Sequence, residues 1–347
     1  MAASNRVLDL FGVDLPIIQA PMAGSTSPEM VVAVSNAGGL GSLPSALYSE
    51  TRLRAALDTV RAGTKKPINV NFFSHQTPDD DPAAQAAWRE RLRGFYVEEG
   101  LDPDPPIPAA GRAPFDETFA KVVEDYRPEV VSFHFGLPSP ELVERVRRTG
   151  AKVISSATTV AEAVWLEARG VDAVIAMGFD AGGHRGNFLT HDMGQQVGTF
   201  SLVPRIVDAV SVPVIAAGGI ADRRGVRAAF ALGAQAAQVG TAYLLTPEAA
   251  ISDVYREALA SAEEVTAVTN LFTGRPARGI VNRLMAEVGP LSDIAPPFPT
   301  AGAAVAPLRK AAEAAGRGDF SPLWAGQAFR SSRPMGSAEL TRVLAGV

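Results

Sequence analysis

The sequence predicts an α/β protein: a (β/α)8 TIM barrel with an inserted loop region and a C-terminal helical cap. Eight short apolar runs, bounded by Gly, Pro and capping residues, alternate with helical patterns along the first 245 residues. Their starts recur about every 20–30 residues, the period of a strand–helix unit. The runs rarely alternate polar with apolar residues, as expected of parallel strands covered on both faces. A plain barrel takes about 250 residues. This chain has 347, so a sizeable remainder must be attached to the barrel. A doubly wound open sheet is the competing fold, but it usually has fewer strands.

In order, Ile17–Ala20 is the first strand, and Ser27-Pro28 then supplies a helix N-cap and first turn that Gly38 closes. The second strand is Gly39–Leu43, followed by a helix at Leu53–Val60, and the third is Ile68–Phe73. A long insertion spans residues 75–114 and holds the Pro-rich run from Asp102 to Pro108. Such a segment reads as a surface loop or an active-site lid. Val130–Phe133 is the fourth strand. Ser139-Pro140 opens the next helix, which ends at Gly150, before a fifth strand at Val153–Ser155. Thr159 and Glu162 have capping-box spacing. Ala173–Ala176, Val214–Ala217 and Ala236–Gly240 complete the eight, with a second long interval at Gly178–Gly198. Beyond Leu245 the rhythm stops, leaving helical patterns at Pro247–Ala262 and Lys310–Ala315.

Composition narrows the function. Lys+Arg 32 against Asp+Glu 37 gives a net charge of −5, without the basic surplus of a nucleic-acid binder. Cysteine is absent, which removes disulfides, thiolate metal sites, iron–sulfur clusters and thiol nucleophiles. Asp9 and Asp14 interrupt any apolar leader, and no stretch approaches the length of a membrane span, so a cytoplasmic protein is expected. Glycine (32) and proline (26) together exceed their usual share without forming low-complexity tracts, which points to many tight turns.

Barrels carry function on the loops after their strands. Here Gly218-Gly219 and Gly240-Thr241 follow the seventh and eighth strands, where exposed backbone N–H groups can hold a phosphate; Asp222 is a plausible N-cap for the helix that follows. His184 lies in Gly182-Gly183-His184-Arg185-Gly186, where missing side chains would let a flat ligand approach an imidazole. Arg185 could add a fixed charge and His134 a ligand contact. His75 and His191 read as loop residues. Phe72, Phe73, Phe135 and Trp324 are candidate wall residues. No HxH, HExxH or carboxylate cluster suggests a metal, and no GxSxG elbow suggests a serine hydrolase.

The segments PIIQAPMAG, SNAGGLGSLPSA, NVNFF, VSFHFGLP, FDAGGHRG, AAGGIAD and VGTAYL, in that order, resemble the motifs of nitronate monooxygenases, formerly called 2-nitropropane dioxygenases. TGRPARGIVNRL and SPLWAGQA extend the resemblance toward the class I branch, over residues 12 to 330. The resemblance implies non-covalent FMN. Its phosphate would lie on Gly218, Gly219, Gly240 and Thr241. Ala20, Met22, Ala23 and Gly24 would lie along the ring, Asn71 would hydrogen-bond it, and Gly182 and Gly183 would give it room. His184 would be the catalytic residue, with His134 and Arg185 on the substrate. The implied reaction is oxidation of alkyl nitronates of the propionate 3-nitronate type by dioxygen, through a flavin semiquinone, to a carbonyl compound and nitrite. Residues 1–247 would form the FMN-binding barrel, with the insertion at about 75–114, and 248–347 a substrate-side cap and C-terminal segment. Two positions depart from the family pattern: Met177 stands where Gln is usual, so it can only pack on the ring, and Asp180 stands where Glu is common. The alternatives are a flavin-dependent enoyl reductase or NAD(P)H:quinone reductase, and a non-catalytic barrel that binds a phosphorylated metabolite.

Overall fold

In a computed structural model, residues 5–104, 111–261 and 265–347 are described. The barrel strands in the first half are β1 (Ile17–Gln19), β2 (Gly41–Pro44), β3 (Ile68–Phe73), β4 (Val130–His134), β5 (Lys152–Ala157) and β6 (Ala173–Met177). A two-residue strand, β7 (Gly183–His184), leaves the barrel, which continues with β8 (Val214–Ala217) and β9 (Ala236–Val239). The eight long strands pair in the order β1-β9-β8-β6-β5-β4-β3-β2. A parallel bridge between Ile18 and Leu40 closes the circle, so the sheet has no open edge at that seam. Predicted and observed strands agree to within a few residues. β2 starts later than expected because Gly38 and Gly39 are still turning: the Gly38 carbonyl takes the Asp14 and Leu15 N–H groups.

Helix α1 (Arg6–Phe11) plugs the floor. Val7 and Phe11 pack under Ile18, Leu40, Ile154 and Ile215 inside the barrel. Outside it lie α2 (Pro28–Asn36), α3 (Glu50–Gly63), and then α4 (Pro82–Glu98), an extra helix within the insertion. The insertion is therefore not all loop, although residues 105–110, including part of its Pro-rich run, lie outside the described residues. The barrel helices resume with α5 (Glu117–Tyr126), α6 (Pro140–Arg148), α7 (Val160–Glu167), α8 (Thr199–Ala209) and α9 (Arg223–Ala231). Ser27, Ser139, Thr159 and Asp222 all accept a first-turn N–H, as their positions suggest. The capping box is not reciprocal, however. The Glu162 carboxylate bypasses Thr159 and takes the Thr158 N–H and hydroxyl.

After β9 the chain makes α10 (Asp253–Ala260), β10 (Thr266–Thr269), β11 (Ala277–Ile280), α11 (Arg283–Val288) and α12 (Gly302–Ala314). β11 pairs with both β10 and β7, so the cap contains an antiparallel sheet as well as helices. α4 and α12 share an apolar cluster with Leu92, Phe95, Leu308 and Phe320. Trp88 Nε1 donates to the Ala301 carbonyl at 3.0 Å and the Tyr96 hydroxyl to Ala304 at 2.6 Å, which fixes their register. Within the C-terminal segment, α13 (Ser337–Ala345) returns to the barrel. Its Leu340 and Leu344 join the barrel's own core, and Thr341 hydrogen-bonds the buried Tyr243 hydroxyl at 2.8 Å. α13 packs against α2 and α9 in the place of the eighth barrel helix, and the intervening cap is an excursion between strand and helix.

Candidate active site

The cavity opens at the C-terminal ends of the barrel strands. Its wall includes Ala20, Met22, Ala23, Asn71, His134, Met177, Gly182, Gly183, His184, Gly218, Gly219, Gly240 and Thr241, most of the residues expected from the sequence. Gly24 is not in the wall; its φ of +81° turns the chain beside Leu47. Among the described residues no group of three His, Asp or Glu side chains could hold a metal ion.

His184 is placed by strand pairing. β7 runs antiparallel to β11, with Ala277 opposite His184 and Arg278 opposite Gly183. Its carbonyl accepts from His134 Nε2 at 3.1 Å, and its own Nε2 lies 2.9 Å from the Thr273 hydroxyl. The rings of Phe298, Trp324, Phe73 and Phe135 surround the imidazole at 5.3–6.1 Å. Burial first, and then the Arg112 guanidinium, hold His184 well below the ordinary histidine pKa, so the ring is neutral near pH 7.

His134 has no free nitrogen for a substrate. A carbonyl can only accept, so Nε2 carries the proton, and Nδ1 accepts from Ser156 at 2.7 Å. Burial pushes its pKa down to about 3. It therefore holds the His184 backbone and presents ring carbons to the cavity.

Arg185 is a correction. It is fully buried and absent from the cavity wall. Its guanidinium donates to the Met177 carbonyl (3.0 Å), the Gly178 carbonyl (2.8 Å) and Gln196 (2.6 Å), so it secures the end of β6 instead of a substrate. Burial and the nearby Arg278 lower its pKa to about 9, still charged at neutral pH. Asp180 also serves the scaffold, accepting the Thr199 N–H at the start of α8.

The three glycines around His184 have different reasons. A Cβ on Gly182 would lie 2.5 Å from the Gly326 nitrogen, and one on Gly186 would lie 2.8 Å from His134 Cε1. Those two admit protein, not ligand. Gly183, with φ +73° and nothing within 4 Å of its missing Cβ, is the one that leaves space. Phe72 points the other way and packs on Phe115 and Phe133, whereas Phe73 and Trp324 line the cavity. His75 is not a simple loop residue: it is buried edge-on against Phe298, and burial lowers its pKa to about 4.

Sequence reasoning missed four site residues. Arg112, from the insertion, is the one charged side chain in the wall among the described residues, and it packs 5.9 Å from the Phe298 ring. Thr273 and Phe298 come from the cap. Gln238, on β9, is in the wall with its Oε1 buried and unpartnered. A polar residue inside an apolar strand run was a usable signal for Gln238.

A family model described as nitronate monooxygenase matches residues 4–345. The chain belongs to the nitronate monooxygenase family. It is 41% identical to the nitronate monooxygenase of Pseudomonas aeruginosa, over 98% of each chain. A solved structure of a nitroalkane oxidase from Streptomyces ansochromogenes aligns over 98% of this chain and 96% of its own, with TM-score 0.89 and 38% identity. FabK from Thermotoga maritima aligns over 98% and 94%, with TM-score 0.70 and 28% identity. The protein is thus an enzyme of this family, and its chemistry is nitronate oxidation in the broad sense.

Proposed function

We propose that the protein binds FMN and oxidises anionic alkyl nitronates, of the propionate 3-nitronate type, with dioxygen to a carbonyl compound and nitrite. The observation that carries the substrate class is the charge pattern of the wall. Among the described residues it has one cation, Arg112, no carboxylate, and a neutral imidazole at His184. Such a cavity favours an anion and gives it donors in an environment poor in water.

The residues present suit FMN. Gly219, Ile220, Gly240 and Thr241 line the cavity, and their backbone N–H groups make no hydrogen bond among the described residues, as a phosphate cradle requires. The N-terminus of α9 is already capped by Asp222, so the loops, not that helix end, supply these donors. Gln238 Oε1 is an unfilled acceptor for a ring N–H. Asn71 spends its amide nitrogen on Ser132, at 3.0 Å to the hydroxyl, and offers its oxygen. Met22, Ala23 and Met177 supply apolar surface for a flat ring. FMN held by these residues would supply the redox chemistry that links nitronate oxidation to dioxygen.

A nitronate has already lost its carbon proton, so no base is needed. Arg112 balances the substrate's negative charge, and His184 contacts it as a neutral group. Phe73, Phe298 and Trp324 keep water away. The test is a visible spectrum of the purified protein, followed by oxygen uptake with propionate 3-nitronate. The expected result is a flavin spectrum and stoichiometric nitrite. In Arg112→Gln, KM should rise about tenfold or more, on the order of one charge-assisted hydrogen bond. A colourless protein that takes up no FMN, or a flavin bleached by NADH and indifferent to nitronates, refutes the reading.

A further inference from the structure

A second cavity, of about 830 Å3, lies outside the barrel along α6, and it shares no lining residue with the first. A volume of that order suits a small organic molecule. Much of its surface is apolar, from Pro114, Phe115, Leu137, Leu142, Val143 and Trp165. Its polar groups sit at two ends. At the barrel mouth are Ser74 and His75, directly after β3, where the Ser74 N–H donates to the His134 carbonyl at the end of β4. The Ser74 hydroxyl and both His75 ring nitrogens are buried without a hydrogen-bond partner among the described residues. The Arg112 backbone lies near enough to act on the imidazole's charge without completing a bond. His75 is neutral at pH 7, so its ring has one donor and one acceptor to offer.

At the other end are Arg147, in the last turn of α6, and Arg169, just past α7. Pro140 opens α6 at the mouth, and at a rise of about 1.5 Å per residue Arg147 lies about 10 Å further down. Both guanidiniums are held in place. Arg147 donates to the Arg169 carbonyl at 2.7 Å and the Gly170 carbonyl at 2.5 Å, and Arg169 stacks 3.6 Å from the centre of the Trp165 ring. Neither has an ion-pair partner among the described residues, and the cavity wall holds no carboxylate. Two fixed guanidiniums without a counter-charge, next to apolar surface, complement an anion with an apolar body.

We propose that this cavity binds an organic carboxylate with an apolar body about 10 Å long and a hydrogen-bonding far end. The carboxylate lies on Arg147 and Arg169, the body on the apolar wall, and the far end meets Ser74 and His75. This is a second ligand site, separate from the one that holds the nitronate, and it does not depend on the function proposed above.

The test is isothermal titration of the purified full-length protein with ω-hydroxydecanoate, decanoate and decanediol. The hydroxy acid should bind with Kd on the order of 1 mM or tighter. Decanoate, without the far hydroxyl, should bind about threefold to tenfold more weakly, and decanediol, without the charge, at least about tenfold more weakly. Arg169→Gln removes an exposed cation and should weaken the hydroxy acid about tenfold while leaving decanediol unchanged. His75→Phe keeps the packing on Phe298 and should bring the hydroxy acid down to the level of decanoate. Leu142→Trp fills the cavity and should abolish binding with the circular dichroism of the wild type. Equal affinity for diol and hydroxy acid, or binding undiminished in both Arg169→Gln and Leu142→Trp, overturns the proposal. So does the absence of any heat at about ten times the expected Kd. Self-association in sedimentation that Leu142→Trp abolishes assigns the cavity to a second copy of the chain and also overturns it.

Discussion

Glu162→Gln should be among the most damaging single-atom changes in this protein, although Glu162 touches neither the cavity nor any cation directly. Its side chain is fully buried. Oε2 accepts from the Thr158 N–H at 2.7 Å and the Thr158 hydroxyl at 2.8 Å; Oε1 accepts from Phe188 N–H at 2.6 Å and Leu189 N–H at 3.3 Å. It thereby ties the loop that follows His184 to the start of α7. A glutamine can retain one oxygen. The better choice keeps it toward Phe188 and Leu189, because the Thr158 hydroxyl can turn round and accept from the new amide. The Thr158 N–H cannot, so one buried donor is left unpaired at a cost of about 1–3 kcal/mol. The three surviving bonds also lose their ionic component, worth roughly another 1–2 kcal/mol. The expected loss is about 2–5 kcal/mol in urea unfolding at fixed flavin concentration, with faster amide exchange at Thr158 and Phe188. A loss under about 1 kcal/mol, with unchanged exchange at both amides, would refute the reasoning.

Other perturbations separate scaffold from chemistry. Arg185→Gln strands the Met177 and Gly178 carbonyls and should cost about 3–5 kcal/mol of stability; steady-state kinetics on the folded variant should leave the nitronate KM within about twofold. Acid sensitivity follows from the buried histidines. Burial depresses His134 to about 3 and His75 to about 4, whereas the unfolded chain protonates them near 6.5. Stability is therefore complete above about pH 6.5 and falls with pH down to the folded values, by about 1.4 kcal/mol per pH unit for each histidine. His75→Phe should show a shallower dependence between pH 6 and pH 4 in acid-unfolding titrations. An unchanged slope would count against burial as the cause.

The barrel was legible because its signals are local. Short apolar runs, Gly turns and the caps at Ser27, Ser139, Thr159 and Asp222 each act within a few residues. The glycine loops and His184 were legible for the same reason. Arg185 misled because adjacency in sequence suggests adjacency in the site. His184 ends the strand β7, and successive side chains along extended backbone point to opposite faces, so the imidazole turns inward and the guanidinium outward. Arg112, Thr273 and Phe298 had no local signature. They come from the insertion and the cap, and they meet His184 only through pairing of β7 with β11 and packing of α4 on α12. The helix closing the barrel was missed because the excursion between β9 and α13 is far longer than the 2–6 residues usual for such a connection.

That excursion has a consequence for how the molecule is made. During synthesis, all eight barrel strands leave the ribosome about 100 residues before α13 does. Until residue 345 emerges, a strip along α2, α9 and β1 lacks the cover that Leu340 and Leu344 supply. A nascent chain with all its strands made thus still lacks the helix that covers this apolar seam. Chaperones or a neighbouring nascent chain would meet it there, and a ribosome stalled within the cap would display that seam for as long as it paused.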